Sequence, residues 1–278
     1  MNEHSFKNSA VAPAVGSVPS DMFDLAVSEG IATVTLDRAP ANAMNSQWVA
    51  GFHQMLDELG ERDDWNVLHI RSGLRLFSAG ADIKEMRSAF NGEGDVAQLV
   101  AAVHEYQDLF FRIEALPQIT LAEINGDAMG GGFELALSCD LRIVADEARV
   151  GLPEVRIGLL PGAGGTQRLT RLCGRAVAFR IINGTEMVDG KTAVELGMAQ
   201  WHAPLSELMV TARDLARHFA RQPARASRLA KQCINLALGP MTREGFDLEY
   251  AGSKELLMSE DSAIRIRNFL AQRSARGS

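Results

Sequence analysis

The sequence predicts an α/β core followed by a helical C-terminal region. Two observations carry that expectation. Short apolar runs with strand period alternate with amphipathic helical stretches up to about residue 145, and from Gly164 onward the pattern is almost entirely helical. A third bounds it: no apolar run approaches the roughly 18 residues that a bilayer span needs. With 278 residues, 46% hydrophobic and 23% charged, the chain can bury a sizeable core and is ordinary for a globular protein.

The elements follow in order. Phe23–Val27 and Ile31–Leu36 alternate as strands around a Ser-Glu-Gly turn, which predicts a hairpin. Asn45 caps a helix whose apolar positions, Trp48, Val49, Phe52, Met55, Leu56 and Leu59, share one face, and Gly60 stops it. A short strand is predicted over 65–70. Ile83-Lys-Glu-Met-Arg-Ser-Ala-Phe90 starts as a helix and gives way to the soft stretch Asn91-Gly-Glu-Gly-Asp95. A long helix over 99–116 ends at Pro117. A strand over 119–124, an Asn125-Gly126 turn, a helix opened by Gly130-Gly-Gly132 and a strand over 141–145 follow. Helices are predicted over 165–172, 175–182, 189–196, 205–220, 224–237, 242–257 and 261–272.

Composition narrows the function classes. The chain carries 28 Lys+Arg against 35 Asp+Glu, a net charge of −7. That acidity disfavours a general nucleic-acid binder or a protein held on anionic membranes. Residues 1–20 have one Lys, no Arg and no continuous apolar core, so they read as a flexible tail and as neither a signal nor a transit peptide. Cys139, Cys173 and Cys233 form no C-x-x-C pair, which fits a reducing compartment such as the cytoplasm.

Several apparent motifs fail on their mechanics. The run Gly184 to Thr192 resembles a phosphate loop but has five residues between its glycines where four are required, and no strand leads into it. Gly162-Ala-Gly-Gly-Thr-Gln167 lacks the last glycine of a dinucleotide fingerprint and follows Pro161. The six histidines show no metal-ligand spacing. Ser78 lacks the frame of a nucleophile elbow.

Three segments survive: Phe77-Ser-Ala-Gly-Ala-Asp-Ile-Lys-Glu-Met86, Asn125-Gly-Asp-Ala-Met-Gly-Gly-Gly-Phe-Glu-Leu-Ala136, and the run from Gly151 to Thr166. In the second, glycines lead into a helix whose first N–H groups lack intrahelical partners, a ready site for a developing oxyanion. The first is also a small-residue loop entering a helix. One N–H from each could hold a single carbonyl oxygen and stabilise an enolate by on the order of a few kcal/mol per donor. Glu134 follows the glycines, and Glu154 stands in a Pro-Glu loop. Each has a plain alternative: a favourable first-turn carboxylate for Glu134, a solvated surface residue for Glu154. Two carboxyl groups beside one oxyanion site could instead divide acid and base roles.

These segments, with Leu36-Asp-Arg-Ala-Pro-Ala-Asn-Ala-Met44, closely resemble the enoyl-CoA hydratase/isomerase (crotonase) family from about Met22 to about Arg273. The resemblance implies a superhelix of repeated ββα turns over 21–204 that holds the active site, and a helical region over 205–278 that serves oligomerisation. It implies that the Ala81 and Gly131 amides bind a thioester oxygen and that Glu134 and Glu154 match the two acidic positions of true hydratases. Glu134 is assigned as base, because its helix terminus should lower its pKa, and Glu154 as acid. Ala79, Gly80, Asp82, Ile83 and Lys84 would lie along the CoA arm. Arg75 falls where some relatives carry a Lys near the CoA phosphates, though a plain surface Arg fits equally. Phe269 falls where relatives contact the adenine end, but Ala271-Gln272 replaces their Glu-Lys, so helix packing competes with that role.

The implied function is syn hydration of a trans-2-enoyl-CoA to a 3-hydroxyacyl-CoA. CoA enters as part of the substrate, with no separate cofactor and no metal. A homotrimer or homohexamer is expected, with no nucleic acid and no membrane as partner. The alternatives are an enoyl-CoA isomerase or another reaction of the family, a non-catalytic acyl-CoA binder, and an RNA-binding relative, which the charge disfavours.

Overall fold

Asn45 opens the first helix as predicted: its side chain accepts a 2.9 Å hydrogen bond from the Trp48 N–H. That helix, α1 (Ser46–Gly60), buries all six apolar positions of the predicted face. A computed structural model describes residues 22–82, 85, 96–237, 259, 260 and 264. The predicted tail 1–20, the stretch Asn91–Asp95, the helix over 242–257, the helix over 261–272 apart from Ile264, and the site residues Ile83, Lys84 and Phe269 lie outside the described residues.

The hairpin of β1 (Phe23–Ser28) and β2 (Ile31–Leu36) turns through Glu29 and Gly30, both at positive φ, the geometry that matches the twist of paired strands. β3 (Val67–Ser72), β4 (Ile119–Ile124), β6 (Leu141–Ala145) and β8 (Trp201–Ala203) then add in parallel, giving a sheet in the order β1-β2-β3-β4-β6-β8. α2 (Val96–Glu114) packs on α1 and on α3 (Gly131–Ser138). α4 (Gly165–Ala178) packs on α3, and α6 (Leu205–Ala220) crosses the sheet, burying Leu208, Ala212 and Ala216. α5 (Gly190–Glu195) and α7 (Ala224–Leu236) complete the described helices.

The structure differs from the sequence reading where elements are short. β8 lies in the stretch read as almost entirely helical, between the predicted helices 189–196 and 205–220; three residues are too few to show a period, and they find their place by pairing with Ile143–Ala145. β5 (Ala128–Met129) and β7 (Val150–Gly151) are two residues each and invisible for the same reason. The third strand begins two residues later than predicted, because Trp65 is buried as a plug whose Nε1–H donates to the Leu59 carbonyl at 2.9 Å. The predicted break between 172 and 175 is real: Gly174 has φ 81°, and a π turn over Phe179–Asn183 follows. The Gly184–Thr192 run that imitates a phosphate loop contains the N-cap of α5, where Asp189 accepts from the Thr192 N–H at 2.8 Å.

The short strands place the site. β4–β5–α3 is one ββα turn: a strand in the large sheet, a strand in a second small layer, then a helix. The small layer continues through single bridges, Met44 with Ala81, Ser78 with Ala128 and Val150 with Val188, beside the β5–β7 pair. Winding the chain this way lays the segments around residues 44, 81, 130 and 152 side by side.

Candidate active site

Ala81 and Gly131 meet where two strands of the small layer end. The planar trans peptide fixes the direction of each amide. The Gly80 carbonyl accepts from the Met44 N–H at 2.8 Å, so the Ala81 N–H, on the opposite edge of that peptide, points away from Met44. The Gly130 carbonyl accepts from the Phe133 and Glu134 N–H groups inside α3, so the Gly131 N–H points out of the helix end. Among the described residues neither N–H has an acceptor. The close approach depends on Gly80, at φ 86°, where a Cβ would lie 2.8 Å from the Met129 carbonyl oxygen and 3.1 Å from the Gly131 nitrogen. A Cβ on Gly131 would lie 3.6 Å from the Ala81 nitrogen.

Both amides open on a cavity of about 390 Å³, which Glu134 and Glu154 also line. Its apolar wall comes from Val100 and Val103 on α2 and from Leu159 and Leu160. A larger cavity of about 550 Å³, walled by Leu137, Arg171 and Lys231, contains none of the candidate catalytic, oxyanion or CoA-arm residues among those described.

Each glutamate is seated against a glycine. Glu134, on the first turn of α3 and 3% exposed, accepts a 2.7 Å hydrogen bond at Oε1 from the Gly165 N–H, the first residue of α4. A Cβ on Gly165 would lie 2.9 Å from that oxygen. Glu154 opens a 3-10 turn (Glu154–Ile157), and its Oε1 would lie 2.7 Å from a Cβ on Gly130. Its Oε2 is buried without a hydrogen-bond partner among the described residues.

Burial pushes Glu134 up to about 7; the neighbouring Glu154 charge adds to this, while the N–H groups of Gly165 and Ala163 pull it down. This corrects the expectation of a lowered pKa: desolvation outweighs the N–H groups that favour the carboxylate. Burial also raises Glu154.

The remaining candidates divide. Asp82 lines the cavity, but its carboxylate is engaged by Arg38 at 2.8 Å, and Arg38 also donates to the Ala43 carbonyl at 2.5 Å. Ala79 and Gly80 do not line the cavity, and the Ala79 N–H donates to the Ala41 carbonyl at 2.9 Å. Arg75 is exposed and away from the cavity, its carbonyl abutting Gly126. Ser78 is buried and donates to the Asn42 carbonyl at 2.7 Å, a structural role.

Sequence reasoning missed four contributors. Asn42 is a buried hub that accepts from the Arg38 N–H and donates to Ser72 Oγ and the Phe77 carbonyl. Arg38 and Asn42 stand in the Leu36–Met44 segment that carries part of the resemblance, a signal that gave no role. Gly165 stands in the Gly151–Thr166 run, a signal that gave this glycine no role, and Tyr106 had none that periodicity or motif could supply.

A family model described as enoyl-CoA hydratase/isomerase matches residues 26–276. A Bacillus subtilis protein named "Probable enoyl-CoA hydratase" is 36% identical over 90% of this chain and 95% of its own. The "Short-chain-enoyl-CoA hydratase" of Clostridium acetobutylicum is 34% identical over 89% of this chain and 94% of its own. The crystal structure of an enoyl-CoA hydratase from Bacillus anthracis superposes with a TM-score of 0.85 at 29% identity, covering 90% of this chain and 96% of that one. A family match over nearly the whole chain, and a fold shared with a solved relative, lead to one conclusion: this protein belongs to the enoyl-CoA hydratase/isomerase family.

Proposed function

We propose that the protein is an enoyl-CoA hydratase, adding water to a trans-2-enoyl-CoA. The observation that carries this reading is the convergence of two amides and two carboxyl groups on one cavity. The Ala81 and Gly131 N–H groups hold the thioester oxygen and draw electron density from Cβ. Glu134 takes a proton from water as its oxygen bonds Cβ; Glu154, in its acid form, delivers a proton to Cα. Turnover leaves the proton on Glu134 and the charge on Glu154, and transfer within the pair restores the starting state. The Gly165 N–H bonds Glu134 Oε1, and Glu154 Oε2 is buried without a hydrogen-bond partner among the described residues, so both carboxyl groups have an oxygen in the desolvated site; which of them is base and which is acid is part of the proposal. The titration belongs to the pair.

CoA is part of the substrate, and the chemistry calls for no separate cofactor. Ala79, Gly80 and Asp82 are the described residues proposed to run beside the CoA arm. The reaction is proposed to take place in the cytoplasm, in a homotrimer or homohexamer. Short enoyl esters are the first substrates to test, since the Clostridium relative is named for them. Purified protein should bleach the conjugated enoyl-thioester absorbance of crotonyl-CoA. Conversion of a 3-enoyl-CoA to its 2-enoyl isomer, with no hydration of crotonyl-CoA, would overturn the hydratase reading in favour of an isomerase.

A further inference from the structure

We propose that Tyr106 is a positioning residue for the oxyanion site, an inference that rests on the hydratase reading. Its hydroxyl donates to the Met44 carbonyl at 2.9 Å. Met44 is the residue that aims the Ala81 amide: its N–H bonds the Gly80 carbonyl and its carbonyl accepts from the Asp82 N–H, each at 2.8 Å. The peptides on both sides of Ala81 are therefore referenced to Met44, and Tyr106 ties Met44 to α2.

A tether is useful only if its far end is fixed, and α2 is fixed on two sides. Gln107, the next residue, donates to the Gly162 carbonyl at 2.7 Å, on the loop that leads into Gly165 and so to Glu134. Arg112 donates to the His53 carbonyl at 3.0 Å and pairs with Asp57, both on α1. Neighbouring residues of one helix thus reach the oxyanion strand and the loop that holds Glu134. Tyr106 also lines the cavity, with its ring 6.4 Å from that of Phe110.

A second donor on a carbonyl that is already bonded adds little to folding. It restricts the movement of Met44, and an amide aimed at a developing charge loses its effect when displaced by a fraction of an ångström. The loss should therefore fall on turnover more than on binding.

Tyr106→Phe keeps the ring and deletes the hydroxyl. Met44 retains its bond from Asp82, so no buried acceptor is left bare and the variant should fold. With crotonyl-CoA, kcat should fall about tenfold or more while KM stays within about threefold. An arylenoyl-CoA ester, whose absorption moves to longer wavelength when its carbonyl is polarised, should show a smaller red shift on the variant than on the wild type. Unchanged kcat and red shift would overturn the proposal. So would a rise in KM alone, which would make Tyr106 a wall residue, or a lower melting temperature alone, which would make it structural. A wild-type protein that neither hydrates crotonyl-CoA nor shifts the probe would instead remove the hydratase reading and this proposal with it.

Discussion

Glu134 carries two opposed influences, and their balance is measurable. Its folded pKa of about 7 lies above the ordinary 4.5, so between those values the folded protein binds more protons than the unfolded chain. Stability therefore falls as pH rises through that window, by up to roughly 3 kcal/mol in all. Glu134→Gln cannot ionise yet still offers an oxygen to the Gly165 N–H. Its stability should match the wild type near pH 4.5 and exceed it at pH 8. Urea melts at both values check this; a difference that does not grow with pH would contradict it. The same variant should lose hydration by about a hundredfold or more while acyl-CoA binding persists, and Glu154→Gln should behave likewise. Full crotonyl-CoA turnover by either variant would remove its glutamate from the chemistry. Both outcomes together, stability gained at pH 8 and turnover lost, would mark Glu134 as a residue held for function.

At the scale of elements, legibility followed length. α1 was readable to its cap because fifteen residues repeat one apolar face and Asn45 announces the start. β5, β7 and β8 were not, because two or three residues carry no period and their positions come from the superhelical winding. The candidate site was legible in part for a related reason. Glycine runs and their glutamates are adjacent in sequence, so Gly131 and Glu134 could be read together. The seats that complete the site, Gly165 under Glu134 and Gly130 under Glu154, are long-range contacts. The Gly80 junction shows how closely these elements meet. Gly80→Ala would force a Cβ onto the Met129 carbonyl from a backbone at φ 86°. The substitution should lower stability by roughly 1–3 kcal/mol and reduce kcat together. Thermal melts and crotonyl-CoA kinetics on one preparation test it; loss of neither would mean the Ala81–Gly131 approach tolerates more movement than the contact distances allow.

Across the whole molecule, the described residues leave an apolar stripe exposed. Val100, Val103 and Phe111 stand at helical spacing on one face of α2, and Phe111 is 61% exposed. Ile157 and Leu160, in the segment that follows Glu154, are 67% and 64% exposed. Single exposed apolar residues are common on monomers, but a stripe on one helix together with a second group beside the cavity mouth is the pattern of a surface that another chain or a ligand covers. An acyl chain in the cavity can shield Val100, Val103 and Leu160, which line it; Phe111 and Ile157 do not line it and call for another cover. The proposed homotrimer or homohexamer supplies one, since closed symmetry buries the same patch on every copy. Sedimentation at micromolar concentration should give a species of three or six chains of 30.1 kDa each. It should do so without acyl-CoA present, because the residues outside the cavity need their cover whether or not substrate is bound. A monomer under those conditions would contradict the assembly, and a monomer that associates only when an acyl-CoA is added would make the ligand, and not the subunit contact, what hides this surface.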